Sequence, residues 1–470
     1  MNTVIEKIFS GKSVSLLGAG VSNMPLAELL SPVVNRLTVR DAKSPADLGE
    51  NAEKLVSLGA TLITGEDYLQ NIDEDIVFRS PGIRPDLDEL NKARERGSLV
   101  TSEMELFLSL HPCPVYAITG SDGKTTTTTL VSLLLEPKGK VFLGGNIGEP
   151  LLYRYDKISP ADAVAVELSS FQLMTVDAPI DVAAITNITP NHLNWHTGMD
   201  EYIAAKKKIL SHARRAVLNY DNDVTRSIAA ELQSTGTPVT FFSLSPLPSG
   251  VLRECDSAVW LDGDTVFSHF YDEGTVEIMR RADIRLPGLH NVANYLTAIA
   301  VTHGMTTTEK IREVARSFGG VEHRLEFVRE KDGVTYINGS IDSSPTRTAA
   351  ALSALADRPV VLIAGGYDKH IPYEPLADAV FSSTVRTVVL TGATADKIYS
   401  AIVSHADCKK KTEEGFKIIM NPDFDGALKD AEKAARPGDT VILSPASASF
   451  DRFKNFEERG RYFKSLVNAL

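Results

Sequence analysis

The stretch Val115-Tyr116-Ala117-Ile118-Thr119-Gly120-Ser121-Asp122-Gly123-Lys124-Thr125-Thr126 constrains the fold of this chain more than any other. An apolar run from Val115 to Ile118 reads as a buried strand and enters a glycine turn. The threonines that follow, with Leu130, Leu133 and Leu134 beyond them, open a helix. Strand, tight turn and helix start make a phosphate cradle. Glycines let the backbone come close, several N–H groups converge on the anion, and the helix N-terminus adds partial positive charge. In such a cradle Lys124 reaches the terminal phosphates and the Thr125 hydroxyl completes the coordination of Mg²⁺. Two residues separate Gly120 from Gly123 where the common phosphate loop has four, so an ordinary strand–helix turn competes with this reading. The flanking strand and helix favour a nucleotide.

A chain of 470 residues is long for one core and is expected to form roughly two to four domains. Its net charge of −12 argues against non-specific nucleic-acid binding and against an anionic membrane surface. Cys113, Cys255 and Cys408 are scattered without pairing or metal spacing, as in a reducing compartment. The start Met1-Asn2-Thr3-Val4-Ile5-Glu6-Lys7 lacks the apolar core of a signal peptide, and no run is long enough to span a bilayer, so a cytoplasmic protein is expected.

Short apolar strands alternate with helical stretches throughout, the rhythm of parallel sheets with crossover helices. In the first third, Ser13 to Leu17 is a strand, a helix runs to about Val34, and Leu37 to Arg40 and Asp75 to Phe78 are further strands. The Gly18-x-Gly20 turn, with Asp41 about twenty positions later, has part of a dinucleotide fingerprint, but Asn23 replaces its third glycine. A second block, opened by the phosphate loop, continues through strands at Val141 to Leu143, Ala163 to Glu167, Val182 to Thr186 and Ala216 to Asn219, then a helix from about Leu289 through Ala298. A third block has strands at Pro359 to Ile363, Thr387 to Leu390 and Val441 to Leu443. The expected fold is three consecutive α/β domains over residues 1–112, 113–318 and 319–470: Rossmann-like, P-loop ATPase-like and Rossmann-like.

Glu167 ends a strand beside the phosphate loop, where a carboxylate can bind the nucleotide's metal. His192 follows another strand end in the same sheet. Lys206 by itself reads as a helix-surface lysine. Arg324 sits at the junction of the second and third blocks, where an arginine can close onto a γ-phosphate; a surface salt bridge is the bland alternative. In the final helix region, Ser444 to Gly460, helical spacing accounts for Phe453 and Phe456 as core. It does not account for the small polar residues after Leu443, where ligands of α/β sheets bind.

Together these segments resemble the Mur ligase family, the ATP-dependent amino-acid-adding enzymes of peptidoglycan synthesis. The resemblance covers the whole chain in the family's order: Thr119 to Thr125, Gly144 to Gly148, the Glu167 segment, the His192 loop, Ala204-Ala205-Lys206, Gly288 to Asn294 and His323-Arg324. Glu167-Leu168-Ser169-Ser170-Phe171-Gln172-Leu173, the Ser444 to Gly460 tail and the Gly18 and Ser80-Pro81-Gly82 turns single out the glutamate-adding member. The resemblance implies transfer of the ATP γ-phosphoryl to the carboxylate of UDP-N-acetylmuramoyl-L-alanine, then attack by the amine of D-glutamate. It assigns ATP to Gly120, Ser121, Asp122, Gly123, Lys124, Thr125, Thr126, Asn294 and Arg324, with Asn294 at the adenine. It assigns the UDP-substrate to Ser22, Asp41, Ser80, Asn146, Ser169 and Gln172, and D-glutamate to Lys369, Ser449 and Phe456. Two Mg²⁺ ions are implied, one on Thr125 and Glu167, the other on His192 and on Lys206 as its carbamate. The catalytic set is then Lys124, Glu167, His192, Lys206 and Arg324, in a monomer.

Three residues depart from the family pattern. Asn194 stands for an aspartate after the histidine, Gly339 for an aspartate near ATP with Asp342 a candidate substitute, and Ile341 for a lysine. Another ligase of the superfamily remains an alternative, as do an oxidoreductase using the Gly18 turn and an inactive ATP-binding module marked by Gly339.

Overall fold

A computed structural model describes residues 4–470 except 21, 194, 249, 252–256, 272, 287, 357 and 370. Asn194 and Cys255 therefore lie outside the described residues. The chain divides into two compact units, Met1–Ser317 and Phe318–Leu470. The expected α/β class is observed: the described residues form three sheets, each built mainly of parallel strands.

The first unit holds two sheets. Strands β1 (Ser13–Leu17), β2 (Arg36–Asp41), β3 (Thr61–Thr64), β4 (Ile76–Arg79) and β5 (Leu99–Thr101) pair in the order β3-β2-β1-β4-β5, all parallel. Successive strands are added on one side of β1 up to β3 and on its other side from β4, so the carboxyl ends of β1 and β4 flank the crevice at which such sheets bind ligands. The Gly18 turn leaves β1 there and Ser80 leaves β4. The helix expected to reach about Val34 covers only Asn23–Leu30: Ser31 keeps helical backbone and its N–H still reaches the Ala27 carbonyl, but Pro32 has no N–H with which to carry the ladder on.

The second sheet contains β6 (Val115–Thr119), β7 (Val141–Gly145), β8 (Ala163–Glu167), β9 (Ile180–Ile185), β10 (Ala213–Asn219), β11 (Val239–Ser243), β12 (Ser257–Asp262), β13 (Thr265–Phe270) and β14 (Gly274–Arg280). Its order is β14-β13-β12-β11-β10-β9-β6-β8-β7. β6 is buried at every residue and lies between β8 and β9, so the loop after it is walled by the ends of both neighbours. The antiparallel ribbon β12–β14 extends this sheet and was not legible among the parallel strands.

In the second unit β15 (Glu326–Lys331), β16 (Val334–Asn338), β17 (Val360–Gly365), β18 (Val385–Thr391), β19 (Lys417–Met420) and β20 (Thr440–Leu443) pair as β15-β16-β20-β17-β18-β19. Inserting β20 between β16 and β17 brings the segment after Leu443 up against Gly339 and Gly365. That segment is not helical, contrary to expectation: the last helix is Phe456–Ala469, capped by Asn455. Phe453 lies before it and packs through Phe424 and Tyr462, so helical spacing is not what buries it.

Arg40 and Glu74 form an ion pair only 2% and 1% exposed in the N-terminal sheet. The guanidinium also donates to Ser15 Oγ and to the carbonyls of Tyr68, Gln70 and Asn71, which fastens the loop before β4. Removing one partner of such a pair strands a buried charge. Arg40→Met is expected to lower the stability of this sheet by about 3–5 kcal/mol, and the Arg40→Met/Glu74→Leu double variant by clearly less. Urea unfolding followed by hydrogen exchange in β1 and β2 measures both.

Candidate functional site

The phosphate loop is shaped by close packing. Gly120 has φ 149° and Gly123 φ 78°. A Cβ at Gly120 would lie 1.9 Å from Thr186 Oγ1, and one at Gly123 would lie 2.3 Å from Asn294 Oδ1, so no larger residue fits either place. Thr186 Oγ1 donates to the Asp122 carbonyl (2.6 Å), the Asp122 N–H donates to Asn187 Oδ1 (3.0 Å), and Ser121 Oγ meets Thr189 and Tyr202 Oη at 2.9 Å. These contacts come from the end of β9 and the helix Met199–Lys207, and they hold the loop open ahead of the helix Lys124–Leu135. Thr125 is buried in the first turn of that helix and Thr126 half-buried beside it. Asn294, on the helix Leu289–Val301, packs against Gly123 and accepts from Thr127 Oγ1 (3.3 Å).

Two ammonium groups address one oxygen. Lys124 Nζ donates to the carbonyls of Gly120 (3.0 Å) and Ser121 (2.9 Å), and Lys206 Nζ donates to Gly120 (2.7 Å). Lys206 is 2% exposed, so it is not the surface lysine its sequence suggested. Its ammonium lies 4.7 Å from the Tyr202 ring centroid. Burial, and then the charge of Lys124, push its pKa down to about 7. A large share of Lys206 is therefore a neutral, nucleophilic amine near neutrality.

Glu167 is 1% exposed at the end of β8, in register with Ile118. Its Oε1 accepts from Asn146 Nδ2 (2.7 Å), whereas its Oε2 is buried with no hydrogen-bond partner among the described residues. A buried carboxylate oxygen without a donor is satisfied by a water or a cation. Hard oxygen donors next to a phosphate loop suit Mg²⁺, which is bound by one or two protein groups plus phosphate and water. No three His, Cys, Asp or Glu side chains converge as a metal-holding group among the described residues.

His192 has φ 55°, a left-handed backbone unusual for a non-glycine residue and typical of functional sites. Its ring packs edge-on against Phe171 at 5.0 Å. Burial and the charges of Lys124 and Lys206 lower its pKa from the ordinary 6.5, leaving an imidazole nitrogen available as a ligand at pH 7. Ser169 and Gln172 form a capping box at the start of the helix Ser170–Leu173, one strand end away. At the β1/β4 crevice, Asp41 accepts from the Ala19 N–H (2.8 Å), and Asn23 Nδ2 donates to Ser80 Oγ (3.2 Å). Ser22 lines a small cavity there with Arg79, Pro81 and Gln172.

In the second unit, Arg324 is exposed between His323 (φ 66°) and Leu325 (φ 43°). His323 is 3% exposed and held by Asn338 and Phe456, so it anchors a strained turn that presents Arg324. Lys369 is exposed, Ser449 buried and Phe456 half-buried. Arg459 is fully buried and unites the carbonyls of Ser340, Ser447 and Ala448, a scaffolding role its place in a charged helix did not signal. Asp342 Oδ2 stands 2.6 Å from where a Cβ at Gly339 would be and accepts from Ser444 Oγ (2.9 Å). The volume freed by Gly339 is thus filled by the carboxylate of Asp342.

A pattern for the Mur ligase middle domain matches residues 118–302, and one for the Mur ligase, glutamate ligase domain matches residues 323–447. The chain belongs to the Mur ligase family. It is 44% identical over 478 residues, spanning 100% of both chains, to the UDP-N-acetylmuramoylalanine--D-glutamate ligase of Acetivibrio thermocellus. It is 44% identical over 464 residues, 98% of this chain and 97% of the relative, to the enzyme of that name from Clostridium kluyveri. The solved UDP-N-acetylmuramate-alanine ligase of Thermotoga maritima shares the fold, with a TM-score of 0.52 at 17% identity over 97% of this chain and 99% of that one.

Burial pushes the Asp342 carboxyl up to about 7, against the pull of Ser444 and of Arg324, Arg347 and Arg459. The native protein therefore holds this proton more tightly than the unfolded chain between about pH 4 and pH 7, and stability falls as pH rises through that window. Asp342→Asn is expected to flatten this fall, gaining on the order of 1–4 kcal/mol over wild type at pH 7 relative to pH 4. Urea titrations at the two pH values check it.

Proposed function

We propose that this protein is an ATP-dependent ligase that joins D-glutamate to the alanyl carboxylate of UDP-N-acetylmuramoyl-L-alanine in peptidoglycan precursor synthesis. The observation that carries the reading is the meeting of Lys124, Lys206 and the phosphate loop at the Gly120 carbonyl, with the Glu167 Oε2, buried without a hydrogen-bond partner among the described residues, at the adjacent strand end. Full-length similarity to D-glutamate ligases supports the choice of amino acid.

Amide formation from a carboxylate needs a leaving group, which the γ-phosphoryl of ATP supplies as an acyl phosphate. The amine of D-glutamate then attacks the carbonyl and phosphate departs. The chain's part is positioning and neutralisation of charge. The loop amides and the helix start at Lys124 hold the phosphates, and Lys124 exchanges its loop carbonyls for phosphate oxygens. Thr125 and Glu167 would hold one Mg²⁺, and His192 with Lys206 a second. Bound there, Mg²⁺ would supply positive charge to phosphate oxygens that otherwise repel the incoming carboxylate. An amine is a poor Mg²⁺ ligand, but neutral Lys206 can add to CO₂ with loss of a proton, giving a carbamate whose oxygens suit the metal.

Asn294 is assigned to the adenine side of the ATP loop. Residues 1–112 bind the UDP end through Ser22, Asp41 and Ser80. Asn146, Ser169 and Gln172 take the muramoyl-alanine part. In residues 319–470, Lys369, Ser449 and Phe456 seat D-glutamate, and Arg324 supplies charge to the γ-phosphate. Asp342 supplies the carboxylate that Gly339 lacks. The reading includes a monomer.

Phosphate release with ATP, Mg²⁺ and UDP-N-acetylmuramoyl-L-alanine is expected with D-glutamate alone. Turnover with L-lysine or meso-diaminopimelate would make it a different ligase, and no turnover with any amino acid would overturn the enzyme. Lys206→Ala is expected to lose about a hundredfold in kcat, partly restored by acetate. Full activity in that variant, indifferent to bicarbonate and acetate, would remove the carbamate from the mechanism.

A further inference from the structure

The residues assigned to the two ends of the sugar-nucleotide substrate lie on different sheets of the first unit, and one side chain outside the assigned set ties them together. Arg84 follows the turn Ser80-Pro81-Gly82-Ile83. Its Nη2 donates to Glu201 Oε1 (2.8 Å), and its Nη1 donates to Glu201 Oε2 (3.2 Å) and to the Trp195 carbonyl (3.0 Å). Its remaining donors meet Asp86 at 2.9 and 2.8 Å. The guanidinium lies 5.0 Å from the Trp195 ring centroid, and Trp195 Nε1 donates back to the Gly82 carbonyl (3.1 Å).

Trp195 and Glu201 frame the loop that begins at His192. Trp195 packs on Phe171 at 4.4 Å, and Phe171 in turn touches the His192 ring. Glu201 Oε2 accepts from the Thr197 N–H (2.9 Å) and meets His196 Nδ1 (3.0 Å), while His196 Nε2 meets Ser170 Oγ (2.9 Å). The N–H groups of Trp195 and His196 both donate to the His192 carbonyl. The left-handed backbone at His192 persists only where its surroundings over-determine it, and these contacts are those surroundings.

A lone surface ion pair contributes little. This one is different in kind. Arg84 and Glu201 are only 23% and 21% exposed, and the pair is two-pronged and continues through His196 into the helix that carries Ser169 and Gln172. The pair touches none of the groups assigned to phosphate or metal.

We infer that Arg84, paired with Glu201, is a positioning residue: it locks the His192 loop to the Ser80–Ile83 turn, so that a nucleoside diphosphate seated at the turn sets the place of the His192 side chain. The inference rests on the ligase reading for what His192 does, but the mechanical link can be measured without turnover. Trp195 is one of two tryptophans in the chain, so Trp260→Phe makes it the sole indole reporter. In that background, UDP-N-acetylmuramoyl-L-alanine, or UDP as a simpler probe, is expected to shift Trp195 emission. Arg84→Ala should abolish the shift, although calorimetry still shows the nucleotide bound within about threefold of the parent affinity.

In turnover, Arg84→Ala should lower kcat about tenfold and raise the Mg²⁺ needed for half-activity, with little change in KM for the UDP-substrate. Glu201→Gln should do the same, the double variant should be no worse than either single one, and Arg84→Lys should recover part of the loss. A folded Arg84→Ala protein that keeps the emission shift, kcat and Mg²⁺ dependence would overturn the inference. So would a defect confined to KM for the UDP-substrate. If Arg84→Ala does not fold, Glu201→Gln and Arg84→Lys decide by the same readouts. Failure of the ligase reading looks different: the parent protein releases no phosphate with any amino acid, while UDP still moves Trp195 emission.

Discussion

The contact on which the rest of the first unit depends is the crowding around Gly120. Its carbonyl receives Lys124 and Lys206, and its missing side chain leaves room for Thr186. Two like charges at one buried oxygen repel each other, and burial adds to the cost of keeping both ionised. The fold resolves this by letting Lys206 lose its proton easily. A residue whose spacing on a helix marks it as surface is thus turned into a chemically distinctive one by what the sheet places over it.

The same logic recurs at the other strand ends. Glu167 ends β8 and Asp342 follows β16, while Lys206 and Arg459 reach from helices to the carbonyls of Gly120 and of Ser340, Ser447 and Ala448 just past strand ends; all four are buried where backbone ladders stop. Left-handed backbone occurs at His192, His323, Leu325 and Ala446, and elsewhere at Asn71 and Asp332. A buried carboxylate oxygen without a partner and a left-handed histidine are costly in an empty scaffold. They are reasonable where phosphate, metal and substrate complete the contacts. Asp342 belongs to the same region: its carboxylate, three residues further along, occupies the space beside Gly339.

The two glycine turns of the first unit play different parts. The turn at Gly120 to Gly123 is walled in by side chains from β9 and from the helix Leu289–Val301. The Gly18 turn is instead closed by Asp41, whose carboxylate accepts the Ala19 N–H, and by Asn23, which reaches Ser80. Asn23 stands where a dinucleotide fingerprint would have its third glycine, and its amide is spent on binding the turn to β4 rather than on leaving space for a pyrophosphate.

Much of the architecture was legible from local pattern. Continuous apolar strands such as Val115 to Ile118 and Ala163 to Glu167, punctuated by glycine turns, prescribe parallel sheets because only buried strands can be apolar on both faces. Threonine, glycine and lysine at fixed offsets prescribe a phosphate cradle because the requirement is met within one strand–turn–helix unit. The extent of the helix before Pro32, the non-helical course of residues 444–455 and the antiparallel ribbon β12–β14 were less legible, since each is settled by what packs or pairs alongside. Tertiary structure alone decided that Lys206 is buried, that Asp342 fills the place beside Gly339, that Arg459 is a scaffold and that Arg84 reaches Glu201. Burial and charge pairing are properties of neighbours distant in sequence, and no local spacing of residues records which neighbours the fold will bring.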